Sequence, residues 1–180
     1  MKRTERLLII GGTGREAGKS SLAGLLISKF ADRGITAVKI TPHLHPDVTG
    51  LRVITGSSEF QVYEERNSNS EKDSSRMLRA GASKVFLVVS GEVMLGEAFA
   101  ALVPFLPEGM PIICESPALR RLIEPDLFIL MLHSDGHKPE RKNIDDLIPL
   151  ANLSFTLRDL DHNKADIIDL DADSRWYIKP

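Results

Sequence analysis

Gly12-Thr13-Gly14-Arg15-Glu16-Ala17-Gly18-Lys19-Ser20-Ser21 decides the fold of this chain. It follows the apolar run Leu7-Leu8-Ile9-Ile10, which reads as a buried strand. It precedes Leu22-Ala23-Gly24-Leu25-Leu26-Ile27, which has helical content. A glycine-rich turn between strand and helix aims several backbone N–H groups at one point, and the positive end of the helix dipole lies there too. That arrangement suits an anion. Lys19 is placed to reach the outer phosphates of a nucleotide, and the Ser20 hydroxyl to ligate Mg²⁺. The whole stretch from Gly12 to Ser21 is the expected cradle for a nucleoside triphosphate, with Lys19 also serving the chemistry.

The spacing inside the stretch narrows the class. Gly12 is followed by five residues and then Gly18-Lys19-Ser20, and Thr13 stands where a strict phosphate loop has its first glycine. This longer loop resembles the dethiobiotin-synthetase and cobyric-acid-synthase branch of phosphate-loop proteins.

Composition sets the outer bounds. With 180 residues, a single domain over 1–180 is expected, and a chain of this size buries roughly 70% of its unfolded surface. Hydrophobic residues at 42% and charged residues at 27% fit a globular protein and exclude an intrinsically disordered one. A net charge of −2 argues against a nucleic-acid partner, since phosphate contacts need clustered Lys and Arg. The one cysteine, Cys114, excludes an internal disulfide and fits a reducing cytoplasm, where the chain is expected to reside. Its apolar neighbours suggest an inert thiol. No apolar run approaches the roughly 20 residues that span a bilayer, so no membrane partner is expected. Met1-Lys2-Arg3-Thr4-Glu5-Arg6 is basic, but Leu7–Ile10 is too short an apolar run for a signal peptide.

Five apolar runs are continuous rather than alternating: Leu7–Ile10, Thr36–Ile40, Val85–Val89, Pro111–Cys114 and Leu127–Leu132. Strands covered on both faces of a parallel sheet have this pattern. Helical patterns lie between them, over Ser20–Arg33 with Gly34 as C-cap, from a Ser70 cap through Arg79, over Gly96–Leu106, and over Ala118–Ile123 behind Ser116-Pro117. Strand and helix alternate. The expected fold is α/β, a three-layer, doubly wound, mostly parallel sheet of the phosphate-loop nucleoside-triphosphatase type.

Residues 41–69 break the rhythm as a polar insertion, within which Leu51–Thr55 and Glu59–Tyr63 suit a hairpin around Gly56-Ser57-Ser58. An insertion after the second strand lies at the carboxyl ends of the sheet, where open α/β sheets bind ligands. Asn152–Leu157, Ile167–Leu170 and Trp176–Ile178 read as edge elements, with a turn at Asp171-Ala172-Asp173.

Several side chains are placed to carry chemistry. Glu115 follows Ile112-Ile113-Cys114 and so ends a buried strand, where phosphate-loop enzymes hold Mg²⁺ or orient a nucleophile. It is the expected catalytic carboxylate and, with Ser20, the expected metal side of the site; Glu92 after the third strand is the rival. Lys39 and the exit Thr41-Pro42-His43-Leu44-His45-Pro46-Asp47 suit an anionic substrate, with His43 the nearer histidine. A transition metal on His43 and His45 is the weaker alternative. Lys72 and Arg76 are four apart on a helix start, with Asp73 between them, and suit an anion clamp. His133-Ser134-Asp135-Gly136-His137-Lys138 stands where a base or ribose could be contacted.

Taken together, the early phosphate loop, Val38-Lys39 before a His-containing loop, and Glu71-Lys72-Asp73-Ser74-Ser75-Arg76-Met77-Leu78-Arg79-Ala80-Gly81-Ala82 resemble the molybdopterin-guanine dinucleotide biosynthesis protein B family. The likeness covers about residues 5–135, and the Lys-Asp-Ser to Ala-Gly-Ala segment is its most specific part. Glu115 takes the place of the family's strand-terminal glutamate, with Ser116-Pro117 where the family has glycine. The resemblance implies a GTP-binding accessory protein, usually a homodimer, with Mg²⁺ and weak hydrolysis. Its implied partner is a pterin-cofactor biosynthesis protein. GTP rather than ATP follows from the resemblance alone. The loop spacing supports an alternative, an ATP-dependent small-molecule ligase or kinase similar to dethiobiotin synthetase.

Overall fold

Burial sorts the apolar runs into central strands and edges. In the computed structural model, which describes residues 2–14, 16–133 and 144–180, the strands are β1 (Lys2–Arg3), β2 (Leu7–Gly12), β3 (Thr36–Thr41), β4 (Leu51–Gly56), β5 (Phe60–Glu65) and β6 (Lys84–Ser90). They continue with β7 (Ile112–Glu115), β8 (Ile123–Glu124), β9 (Leu127–Met131), β10 (Leu153–Phe155), β11 (Ile168–Leu170) and β12 (Trp176–Ile178). The α-helices are α1 (Lys19–Lys29), α2 (Asp73–Arg79), α3 (Leu95–Leu102) and α4 (Leu157–Asp161). β2, β7 and β9 are buried along their whole length, as their unbroken apolar runs require.

The main sheet runs β10-β9-β2-β7-β3-β6-β5-β4. Every neighbouring pair from β10 to β6 is parallel, while β5 is antiparallel to both β6 and β4. Alternate side chains along each strand feed opposite layers. Leu8, Ile10, Ala37 and Ile113 join Leu22 and Leu26 of α1 and Met77 of α2 in one core. Leu7, Ile9, Val38 and Cys114 join Phe99 and Leu102 of α3 in the other. The result is the expected doubly wound α/β sheet between helical layers.

Several elements differ from the sequence reading. The hairpin of β4 and β5 forms, but it lengthens the sheet beside β6 rather than standing apart at its carboxyl end. β-Branched and aromatic residues such as Val62 and Tyr63 find a ready pairing edge there. α2 begins at Asp73 behind Lys72 rather than behind Ser70. The Ser70 hydroxyl instead meets the Ser75 hydroxyl at 2.8 Å. α3 ends at Leu102 and tightens into a 3₁₀ turn, Val103–Phe105. Pro104 has no N–H to continue an α-helix. Ala118–Arg121 is likewise a 3₁₀ turn.

The C-terminal hairpin of β11 and β12 closes the first core. Trp176 is 3% exposed and stacks edge-on against Phe30 at 5.6 Å. Its indole N–H is shared between the Arg6 and Ile112 carbonyls, each at 3.2 Å. Trp176→Ala is expected to cost about 3–5 kcal/mol, the usual figure for emptying a large aromatic site. Urea unfolding with an unchanged slope measures it, and a loss under about 1 kcal/mol would show that the hairpin merely covers the core.

Candidate functional site

β2 emerges between β7 and β9, so the glycine-rich loop opens at the centre of the sheet's carboxyl edge. Gly18 caps α1 with φ at 94°, a left-handed conformation that strains any other residue. A Cβ there would also lie 2.6 Å from Leu157 Cδ2. The Lys19 stem lies over Gly12, where an added Cβ would approach Lys19 Cγ and Cδ to 2.9 Å. Lys19 Nζ donates to the Gly14 carbonyl at 2.7 Å, so the ammonium is folded back over the loop.

Thr13 anchors the start of the longer loop. Its N–H donates to the Met131 carbonyl at 3.0 Å, and its hydroxyl accepts the His133 N–H at 3.1 Å. A glycine there would keep the first bond and lose the second. The loop is thus pinned to the exit of β9 before it turns. Ala17 is buried, and Glu16 is exposed with φ at 59°. Arg15 and the segment Ser134-Asp135-Gly136-His137-Lys138 lie outside the described residues.

Behind the loop, one chain of polar contacts joins two strands and two helices. Ser20 Oγ donates to Glu115 Oε2 at 3.0 Å. Lys39 Nζ donates to Glu115 Oε1 at 2.6 Å and to Asp73 Oδ2 at 2.7 Å. The parallel register of β3 and β7 sets Lys39 directly opposite Glu115. Glu115 is 3% exposed, so its charge is balanced by this lysine and hydroxyl rather than by water. Ser21 is exposed and lines a groove of about 420 Å³ between α1 and α2, together with Ser20, Asp73 and Arg76.

The charges tune one another. Burial works to lower the Lys39 pKa, but Glu115 and Asp73 outweigh it and hold the ammonium above its ordinary 10.5. Burial works to raise Asp73, but Lys39, and then Arg76, hold it below its ordinary 3.8. Burial pushes the Cys114 thiol upward, which matches the inert thiol expected from its neighbours. These directions give a pH prediction. The stabilisation from Asp73 is complete above about pH 4 and is lost as pH falls through its lowered folded value. The stabilisation from Lys39 is complete below about pH 10 and is lost as pH rises through its raised folded value. The contribution of these two groups should therefore be constant between these limits. In Asp73→Asn the acid-side fall should shrink, and an unchanged acid limb would show that other carboxylates dominate it.

The remaining expected residues are distributed as follows. Lys72 does not join Arg76 in a clamp: its side chain is 3% exposed, and its ammonium lies 3.1 Å from Glu65 Oε2 and donates to the Thr49 carbonyl at 2.7 Å. Glu65 also accepts from the Ser74 hydroxyl at 2.7 Å. Lys72 thus ties α2 to the hairpin. Arg76 is exposed on the groove. His43 is exposed, and His45 Nδ1 accepts the Asp47 N–H at 3.0 Å. Among the described residues no group of three or more His, Cys, Asp or Glu is arranged to hold a metal ion. Glu92 is 81% exposed with Arg121 at 3.9 Å, on the surface rather than beside Ser20.

The position of Asp73 beside Lys39 is not legible in the sequence spacing, which groups it with Lys72 and Arg76. The Glu65 anchor of Lys72 carries no sequence signal either, because it depends on the hairpin docking against α2.

Neither a family model nor a curated protein matches this chain. Among solved structures, the "apo" form of LpxK from Aquifex aeolicus in complex with ATP is similar to it, with a TM-score of 0.52 at 16% identity. The match covers 89% of this chain and 51% of that one, so the chain spans about half the length of its structural neighbour. At that identity the likeness is one of fold. It agrees with the mostly parallel α/β sheet and flanking helices described above. Among the described residues no helix is long and apolar enough to cross a membrane.

Proposed function

We propose that this chain binds a nucleoside triphosphate with Mg²⁺ at the Gly12–Ser21 loop and catalyses phosphoryl chemistry there at a slow rate. One observation carries the reading: Ser20, the hydroxyl that closes the glycine-rich turn, is hydrogen-bonded to the strand-terminal carboxylate of Glu115. The donor set fits the metal. Ser20, Glu115 and Asp73 offer hard oxygens, and Mg²⁺ is usually held by one or two carboxylates with the rest of its shell left to water and phosphate. The two carboxylates already accommodate a cation, the Lys39 ammonium. Mg²⁺ would supply charge neutralisation on the phosphate oxygens. Backbone N–H groups of the loop and Lys19 would bind and orient the polyphosphate, and in hydrolysis Glu115 would orient the attacking water. That the structural neighbour was solved with ATP agrees with this reading.

The finer reading is a GTP- or ATP-dependent accessory protein of molybdopterin-type cofactor biosynthesis, homodimeric and working with a pterin-cofactor biosynthesis protein. The Lys72–Ala82 segment supports it. The Gly12-to-Gly18 spacing supports the second reading, an ATP-dependent small-molecule ligase or kinase.

Hydrolysis of GTP and ATP by wild type and Glu115→Gln tests the proposal. The variant should lose roughly 10²–10⁴-fold in turnover, the usual contribution of a positioned acid–base group, while triphosphate affinity stays within about threefold. Preference for GTP favours the accessory protein, and turnover of ATP that rises with a small co-substrate favours the ligase or kinase. Undiminished turnover in the variant would remove Glu115 from the chemistry.

A further inference from the structure

On the opposite side of the strand tips from Lys39 and Glu115 lies a cleft of about 720 Å³. It is a direct product of strand alternation. Lys39 and Glu115 point toward α1 and α2, while the next residues, Ile40 and Ser116, line the cleft beneath α3. Its apolar wall includes Ile40, Pro42, Leu95 and Pro117. Thr41, Ser90 and Ser116 supply hydroxyls. A mostly apolar cavity of a few hundred cubic ångströms with a few polar groups is the usual form of a small-molecule site.

Charge at the rim restricts what enters. Arg121 faces the cleft but is held by Asp146 through Nε at 2.8 Å and Nη2 at 2.9 Å. Glu92 also lines the cleft, with its carboxylate 3.9 Å from the same guanidinium. Two carboxylates against one guanidinium leave these described rim groups with one net negative charge.

We propose that this cleft is the co-substrate site of the nucleotide reaction and takes a small alcohol of neutral or positive charge, with an apolar skeleton. The proposal rests on the nucleotide reading above. In the transfer, a lone pair of the alcohol oxygen forms a bond to the terminal phosphorus. The bond from that phosphorus to the bridging oxygen breaks, its electron pair leaves with the nucleoside diphosphate, and the hydroxyl proton passes to water at the cleft mouth. An anionic alcohol is disfavoured by Glu92 and Asp146.

Three alcohols on one skeleton test it: 1,4-benzenedimethanol, 4-(aminomethyl)benzyl alcohol and 4-(hydroxymethyl)benzoate. Each is titrated to about 10 mM, the range of fragment-sized ligands, into the full chain while amide NMR shifts are followed. The neutral and ammonium probes should shift Gly91, Glu92, Ser116 and Ala118–Arg121, with the benzoate at least about tenfold weaker. A Cβ at Gly91 meets open space, so Gly91→Trp fills the cleft without a backbone clash, and Ala118→Phe fills it from another wall. Both should abolish the shifts. No binding by any probe, equal binding of the benzoate, shifts elsewhere, or persistence in both filled variants would overturn the proposal. Titration of wild type with Mg·ATP separates the two readings. Nucleotide binding without alcohol binding sinks the cleft alone. Alcohol binding without nucleotide binding sinks the loop reading and, with it, the role of the cleft as a co-substrate site.

Discussion

Lys39→Met is expected to destabilise the fold by about 3–5 kcal/mol, because removing one partner of a buried ion pair leaves the other charge uncompensated. Glu115 is the charge in question. At 3% exposure it cannot turn to water, and without Lys39 it keeps the Ser20 hydroxyl as a neutral partner. Asp73, more exposed at 38%, would lose its partner at lower cost. Two further measurements isolate the cause. The double variant Lys39→Met with Glu115→Gln should recover most of the lost stability, since neither partner is then charged. Added Mg²⁺ should raise the unfolding midpoint of Lys39→Met more than that of wild type, where the ammonium competes for the same oxygens. A loss below about 1 kcal/mol in the single variant would show that Glu115 is solvated after all.

Lys19→Ala is expected to act in the opposite way, with a large effect on ligand and a small one on the fold. The side chain is half-buried over Gly12, and its ammonium meets the Gly14 carbonyl of its own loop. Both of these contacts lie within its own loop, and the unfolding midpoint is expected to move little. A charge-assisted bond to phosphate is among the stronger ones available. Its loss should weaken triphosphate binding by about 100-fold, or about 2.7 kcal/mol. The diphosphate should suffer less, because the outer phosphate is the group that Lys19 is placed to reach. A fall in stability matching the fall in affinity would instead make Lys19 a structural residue.

The sequence was most legible where one physical requirement acts locally. A strand buried on both faces must be apolar throughout, so the runs at Leu7, Thr36, Val85, Pro111 and Leu127 read correctly as β2, β3, β6, β7 and β9. Gly18 was legible because a left-handed turn before a helix selects glycine. The hairpin at Leu51 and Phe60 was legible as two strands, but its docking edge was not, because pairing with β6 is a non-local event. The same non-locality misled the reading of Lys72. Helical spacing put it beside Arg76, whereas the docked hairpin brings Glu65 to its ammonium and draws it away. Asp73 became informative for the same reason: only the packing of α2 against β3 sets it 2.7 Å from Lys39.

Calorimetric titration with Mg·ATP and Mg·GTP, in wild type and Lys19→Ala, tests the central claim most directly. The account predicts saturable one-to-one binding of a triphosphate by wild type that requires Mg²⁺, and a loss of about 100-fold in the variant with its unfolding midpoint kept. Equal heats for the two proteins, or none for either nucleotide, would contradict it.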